Sequence, residues 1–175
     1  NTVIGRSVGA ANTSGADNTG VGSFSLCANT TGNSNTAVGR SALRANTTKD
    51  NNTAIGSYAL TSNVTGAANT AVGTCALQNV NANGNNGFGY FALYNTSSGT
   101  CNVAIGQDNT RCNSSGSCNI SIGNQSLRTN TTASNNIAVG TCSLNKNTTG
   151  TPNVAVGNFS LCANTTGTSN TGVGF

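Results

Sequence analysis

The stretch from Asn35 to Asn51 is N-T-A-V-G-R-S-A-L-R-A-N-T-T-K-D-N, and close variants of it recur along the whole chain. Each copy opens with an Asn-x-small-apolar-Gly pentad, and the closing glycine of this pentad occurs eleven times. These pentad glycines are Gly5, Gly22, Gly39, Gly56, Gly73, Gly89, Gly106, Gly123, Gly140, Gly157 and Gly174. Nine of their ten intervals are 17 residues long, and only the interval from Gly73 to Gly89 is 16. The chain is therefore a tandem repeat of one short unit.

The length of the unit predicts the fold class. Seventeen residues are too few for a helical-hairpin repeat or a propeller blade, but they suit one coil of a β-solenoid. We predict an all-β fold, a parallel β-solenoid of about ten rungs that occupies residues 1–175 as one domain. At a strand spacing of about 4.8 Å the rod would be about 50 Å long. The 31 Asn and 23 Gly residues also disfavour helices.

Equivalent positions in successive repeats form columns, and three adjacent columns predict the strand. The position before the pentad glycine is always Val, Ile or Phe, and the position two residues earlier is mostly β-branched. We call these the β-branched columns and expect the Val/Ile position to form the core. The small column lies between them, so strand alternation places it on the other side, facing solvent or a neighbouring sheet. It comprises Val3, Gly20, Ala37, Ala54, Ala71, Gly87, Ala104, Ser121, Ala138, Ala155 and Gly172.

A Leu column follows four residues after the pentad glycine. It comprises Leu26, Leu43, Leu60, Leu77, Leu93, Leu127, Leu144 and Leu161, with Gly9 and Thr110 as interruptions. We expect a second strand here, on the opposite wall, with its Leu side chains meeting the Val/Ile column. The N-T-T-G sequence that follows is predicted to turn the chain, with a glycine that adopts positive φ.

Two kinds of surface protein share these sequence features. The pentads from Asn136 to Gly140 and from Asn153 to Gly157 resemble the head repeats of trimeric autotransporter adhesins, whose motif is close to N-x-V-A-I-G. The whole unit is similar to the N-T-A-I-G-x-x-A-L-x-x-N-T-T-G repeats of phage tail-fibre and related surface proteins. The adhesin resemblance implies a left-handed parallel β-roll, three chains side by side, and attachment to host surfaces. This chain differs from adhesin heads in its longer period, its Leu column and its cysteines.

Several function classes lack the residues they need. His is absent, and the three acids, Asp17, Asp50 and Asp108, fall in different repeats, so we expect no catalytic residues and no cofactor. The cysteines have neither His partners nor C-x-x-C spacing, which argues against a metal site. The seven basic residues are too dispersed along the sequence for nucleic-acid binding. No apolar run approaches the roughly 20 residues of a membrane span.

Cysteine spacing suggests one disulfide. Cys101 and Cys118 both lie five residues before a pentad glycine in consecutive repeats. Stacked rungs would bring their Cα atoms about 5 Å apart, which a disulfide allows. Cys112 is a competing partner for either thiol. Because the chain has seven cysteines, at least one is free or paired between chains.

Sequons of the form N-x-[ST] form a possible glycan row. Eight of them lie seven residues after a pentad glycine, and these are Asn12, Asn29, Asn46, Asn63, Asn113, Asn130, Asn147 and Asn164. In a secretory pathway this column would carry N-glycans along an exposed corner of the rod. The alternative, which we favour, is that N-T-T-G is simply a good turn sequence.

The repeats near residues 85–112 are irregular and suggest a binding patch. The segment Gln107–Cys112 loses the Leu and gains an acid, a base and a thiol, and a cluster of aromatic residues precedes it. We identify Tyr90, Tyr94, Asp108 and Arg111 as candidate ligand-binding residues. Phe88 and Phe91 are expected to fill core space left by the one-residue deletion.

These observations favour a structural component of an extracellular, cell-surface or virion-surface fibre or filament, with a role in adhesion. The expected partner is a second copy of the chain, in a homotrimer or in a filament of subunits stacked end to end. The chain would then be a segment of a longer fibre or one such subunit. A carbohydrate- or receptor-binding module that uses the irregular repeats is one alternative. An ice-binding solenoid is another, although the paired Thr residues are better explained as turns.

Overall fold

The computed structural model describes all 175 residues and contains eleven short strands, one in each repeat. The strands are β1 Thr2–Ile4, β2 Thr19–Val21, β3 Thr36–Val38, β4 Thr53–Ile55, β5 Thr70–Val72, β6 Asn86–Phe88, β7 Val103–Ile105, β8 Ile120–Ile122, β9 Ile137–Val139, β10 Asn153–Val156 and β11 Asn170–Val173. We number the rungs by the strand that opens each coil. The structure contains no helical segment that could span a membrane.

All eleven strands pair in parallel, in chain order, in a single sheet. Ala37 pairs with Ala54, and Ala54 pairs with Ala71, so like residues stack on like. The register survives the 16-residue repeat, where Val72 pairs with Phe88. The predicted parallel β-solenoid, with one coil per repeat, is therefore confirmed.

The strands face the opposite way from our expectation. The small column is buried from Gly20 in rung 2 to Ala155 in rung 10, with Ala37, Ala71 and Ala104 at 0% exposure. The β-branched columns are exposed or half-buried, and Ile55 and Ile105 are 41% and 40% exposed. The prediction that Val and Ile form the core is wrong, because the coil is too thin for a β-branched residue opposite a leucine. Each buried Leu instead packs against small side chains of the strand.

The Leu segment is not a strand. Leu43 has φ of 50° and Ser41, two residues earlier, has φ of 55°, and the same left-handed pattern recurs in the other rungs. The backbone still bonds to its neighbours, because the Leu43 amide donates to the Ala59 carbonyl over 3.0 Å. The second strand was thus predicted wrongly, although the Leu column is buried as expected.

The core is a narrow apolar stripe with one polar interruption. In rung 7, Asn109 and Thr110 replace the Ala or Ser and the Leu of rungs 2–6 and 8–10, and both are buried. The Asn109 side-chain Nδ2 group donates to the Gly123 carbonyl over 2.7 Å, and the Thr110 hydroxyl donates to Asn109 Oδ1 over 2.8 Å. This pair divides the apolar core into a larger part before it and a smaller part after it.

Glycine is invariant at one position of each rung and preferred at a second, for different reasons. Gly56 has φ of +135°, and a Cβ there would lie 2.5 Å from the Gly73 carbonyl oxygen. Gly32 has no positive φ, but a Cβ there would lie 2.6 Å from the Lys49 carbonyl oxygen. The expected positive φ at the N-T-T-G glycine is therefore wrong, because close contact with the next rung explains that glycine instead.

Candidate functional site

A continuous ladder of asparagines, buried in every rung except the first and the last, supports the strands. We call it the strand Asn column, and it comprises Asn1, Asn18, Asn35, Asn52, Asn69, Asn85, Asn102, Asn119, Asn136, Asn153 and Asn170. The Asn35 backbone nitrogen donates to Asn18 Oδ1 over 2.9 Å, and the Asn52 backbone nitrogen donates to Asn35 Oδ1 over 3.0 Å. Each side chain thus satisfies the backbone of the next rung. We did not identify this ladder from the sequence, although the column is Asn in all eleven repeats.

The eight sequon asparagines form a second ladder, the turn Asn column. Asn29, Asn46 and Asn130 are fully or almost fully buried. The Asn46 Nδ2 group donates to Asn29 Oδ1 and to the Lys49 carbonyl, both over 2.9 Å. The expectation of an exposed corner is therefore wrong for this column. A glycan on Nδ2 would displace both bonds, and the structure favours the alternative in which N-T-T-G forms a turn.

Burial of the sequon column is nearly complete. The side chains of Asn29, Asn46, Asn63, Asn113, Asn130 and Asn147 are buried, and those of Asn12 and Asn164 near the two ends are half-buried. The column is interrupted in rungs 5 and 6, where Val80 and Thr96 take its place. Val80 adds to the apolar core at that point.

The exposed side of the sheet forms a long uncharged surface, which we call the β-branched face. In rungs 7–10 both β-branched columns are Val or Ile, namely Val103, Ile105, Ile120, Ile122, Ile137, Val139, Val154 and Val156. Phe88, 38% exposed, extends this surface into rung 6. In rungs 2–5 one of the two columns is Thr instead. No charged residue lies in either column.

The structure brings the four predicted patch residues together. Arg111 Nη1 lies 3.2 Å from Asp108 Oδ1, and this is the only ion pair in the chain. The Arg111 guanidinium carbon lies 5.7 Å from the centre of the Tyr94 ring. Tyr90 is 47% exposed and joins the cluster through Phe91, whose ring centre lies 4.1 Å from that of Tyr90.

Phe91 is the patch residue that we did not predict. Its ring meets Tyr94 edge-on, with centres 4.9 Å apart, and the Arg111 guanidinium carbon lies 4.7 Å from its centre. The expectation that Phe88 and Phe91 fill the core is wrong, because Phe88 is exposed on the sheet and Phe91 is half-buried in the patch. The deletion that suggested core filling falls in the turn after Leu77 and leaves the strand register intact.

The cysteines contain no disulfide. All seven thiols are free, so the predicted Cys101–Cys118 bond, with Cys112 as competitor, is absent from this structure. Cys101, Cys112 and Cys118 are exposed, whereas the other four are half-buried. Burial raises the pKa of the Cys75 thiol. No group of three or more Cys, Asp or Glu side chains is arranged to hold a metal ion.

The turn threonines bond within the rod. The Thr30 hydroxyl donates to the Thr47 carbonyl over 3.0 Å, and the Thr131 hydroxyl donates to the Thr148 carbonyl over 3.1 Å. These hydroxyls link successive rungs at the corner. They do not form a flat array of free hydroxyls on a sheet.

Comparison with known proteins identifies no relative of this chain. No protein-family model matches the chain, and neither a curated protein nor a solved structure matches it.

Proposed function

We propose that this chain is a structural segment of an extracellular or virion-surface fibre, built by side-by-side association of rods through the β-branched face. The observation that carries the proposal is the uncharged stripe of exposed and half-buried Val and Ile along rungs 7–10. Extended apolar surfaces of this kind usually mark interaction sites. Covering them removes the side chains from water and stabilises the assembly.

The dimensions of the face support a protein partner of the same length. Eleven strands at about 4.8 Å give a length of about 50 Å, and strands of three to four residues give a width of roughly 10 Å. The product is roughly 500 Å² per chain, so a pair of such faces buries about 1,000 Å², the lower bound for a specific interface. A second copy offers an equally flat and uncharged face.

The resemblance to adhesin heads supports three chains around one axis, and we propose a homotrimer as the basic assembly. The fold suits a fibre, because each rung contacts only its neighbours and the rod can grow in length without a larger core. Attachment of a cell or virion to a surface is the use that such a rod would serve.

Sedimentation and electron microscopy of the purified chain test this proposal. We expect wild-type chain to form rods of defined stoichiometry and Ile122→Glu to remain a folded monomer, because the charge falls in the middle of the β-branched face. Asn124→Glu is the matched control, because Asn124 is exposed in the same rung but lies outside both columns. A wild-type chain that stays monomeric at high concentration would rule out the proposal.

A second candidate function is glycan binding by the cluster of Tyr90, Phe91, Tyr94, Asp108 and Arg111. The specific observation is that Arg111 is held by one carboxylate and two rings, which fixes the guanidinium beside the half-buried Tyr94. Guanidinium groups and aromatic rings together suit a ligand with both polar and apolar sides.

Binding of the chain to immobilised glycans or to cells tests the second candidate. We expect Tyr90→Ala combined with Tyr94→Ala to abolish binding. Phe88→Ala is the control, because Phe88 is an exposed aromatic residue of the same rung on the β-branched face. Unchanged binding by the double variant would exclude this patch.

A further inference from the structure

Positive charge is concentrated on one part of each rung. Six of the seven cations lie one, five or six residues after a pentad glycine, and these are Arg6, Arg40, Arg44, Arg111, Arg128 and Lys146. Most aromatic residues lie in the same segment, one, two or five residues after that glycine. We call the surface formed by these positions the basic–aromatic face.

Contacts between rungs show that these positions form one surface. Arg44 lies five residues after Gly39, and Phe24 lies two residues after the pentad glycine of the preceding rung. The Arg44 guanidinium carbon lies 5.8 Å from the ring centre of Phe24. The Thr61 hydroxyl likewise donates to the Ser41 carbonyl over 2.8 Å. The sequence spacing therefore corresponds to neighbouring side chains on adjacent rungs.

A second cluster of Arg and aromatic residues occupies rungs 1–4 of this face. The Arg6 guanidinium carbon lies 4.6 Å from the ring centre of Phe24, so Phe24 contacts both Arg6 and Arg44. The Arg40 guanidinium carbon lies 5.4 Å from the ring centre of Tyr58. All three arginines are exposed, and none has a carboxylate partner. Aromatic rings thus hold three guanidinium groups in place and leave their hydrogen-bond donors free.

The acids are almost absent from this face. Asp108 alone lies on it and is paired with Arg111, whereas Asp17 and Asp50 lie eleven or twelve residues after a pentad glycine. Arg128 follows Arg111 by one rung, and its Nε is buried without a hydrogen-bond partner. The face therefore presents five unpaired cations on a chain whose net charge is +4.

We propose that the basic–aromatic face binds a linear acidic polysaccharide, whose sulfate or carboxylate groups pair with the arginines of both clusters at once. The inference rests on the proposed glycan-binding patch and extends it to the cluster of Arg6, Phe24, Arg40, Arg44 and Tyr58. Rung 5, with Thr74, Cys75 and Gln78 on this face, separates the clusters. A chain long enough to span this gap gains affinity from simultaneous contact with both.

Charge density and ring packing favour a polysaccharide over a nucleic acid. Six cations spread over nine rungs, whose eight spacings span roughly 38 Å, are far sparser than the one phosphate per about 1.7 Å of duplex DNA. Single strands bind by stacking bases on open aromatic rings. Here Phe24, Tyr58, Phe91 and Tyr94 each already contact a guanidinium group. The guanidinium groups are therefore the groups that a ligand meets, and carboxylates and sulfates suit them.

Titration with long heparin, short heparin fragments, neutral dextran and oligo(dT) tests the proposal. We expect long heparin to bind with a strong dependence on salt and dextran not to bind. Replacing Arg6, Arg40 and Arg44 by Gln should lower affinity for long heparin about 100-fold, because one of two linked contacts is lost. Fragments that reach only one cluster should bind weakly to the wild type. Lys49→Gln is the control, because Lys49 is the one cation outside the face.

The outcomes separate this inference from the patch on which it rests. If the triple variant binds long heparin as the wild type does, while the Tyr90 and Tyr94 double variant loses binding, the second cluster is excluded and the patch stands. If neither variant changes binding, both are excluded. Tighter binding of oligo(dT) than of long heparin would also overturn the proposal.

Discussion

Asn35 and Asn46 donate their side-chain amides to the same acceptor, the Lys49 carbonyl oxygen, each over 2.9 Å. One belongs to the strand Asn column and the other to the turn Asn column, so the turn carbonyl joins the two ladders. The arrangement recurs in rung 8, where Asn119 and Asn130 share the Ala133 carbonyl. The high Asn content is therefore a requirement of the fold, because these amides satisfy polar groups inside a coil with a small apolar core.

We expect Asn102→Ala to destabilise the rod by about 3 kcal/mol. The Asn102 side chain donates to Asn85 Oδ1 and to the Gly116 carbonyl, and it accepts from the Asn119 backbone amide. Its removal leaves several buried groups without partners, at about 1–3 kcal/mol each. Urea unfolding followed by circular dichroism measures the change.

The control for this prediction is Asn124→Ala. The Asn124 side chain is exposed and makes no hydrogen bond, so we expect a change below about 0.5 kcal/mol. Equal losses in the two variants would show that the ladder does not stabilise the chain.

The inward orientation of the small column gives a second prediction. Ala104 is fully buried, and Ala104→Val should destabilise the rod by about 1–3 kcal/mol because the added methyl groups have no space. Ile105 is 40% exposed, so Ile105→Ala should cost less than about 1 kcal/mol in the monomer. Thermal or urea unfolding at a concentration where the chain is monomeric compares the two. The reverse order would mean that the Val and Ile side chains form the core.

The period of the repeat and the position of each strand follow from the sequence, whereas the orientation of the strand does not. Alternation along Thr36, Ala37 and Val38 separates two faces of the strand, but it does not say which face is inside. The opposite wall decides that, because Leu43 already fills the coil and leaves space only for Ala37. Hydrophobicity alone predicts that Val38, and not Ala37, faces the core, and this prediction is wrong.

The candidate site was predictable only in part. Aromatic and charged residues close in sequence indicated Tyr90, Tyr94, Asp108 and Arg111. The role of Phe91 was hidden, because left-handed φ at this position turns its ring outward in a way that strand alternation does not describe. Left-handed φ is locally unfavourable for a residue with a side chain, by about 1–2 kcal/mol, so local preference predicts a strand instead. Hydrogen bonds to both neighbouring rungs offset that cost.

The two glycine positions of each rung differ in their tolerance of substitution. Gly106 combines φ of +137° with close contact to the Gly123 carbonyl, so Gly106→Ala introduces backbone strain as well as a clash. A Cβ at Gly116 would also meet a carbonyl oxygen, that of Ala133, but Gly116 has no positive φ, and Ala133 at the equivalent position of the next rung shows that this backbone accepts a side chain. We expect Gly106→Ala to be clearly more destabilising than Gly116→Ala, by about 1–3 kcal/mol. Urea unfolding checks this order, and equal losses would contradict it.

The thiol of Cys75 should react more slowly than the exposed thiols. Its burial penalises the thiolate and raises its pKa, so less thiolate is present at a given pH than in the unfolded chain. We expect alkylation of Cys75 by iodoacetamide at pH 8 to be slower than that of Cys101 and Cys118, which are exposed. Peptide mapping by mass spectrometry measures each rate. In urea the three rates should converge, and the curve of Cys75 rate against pH should move to lower pH. A Cys75 curve that stays unchanged on unfolding would show that burial does not control its titration.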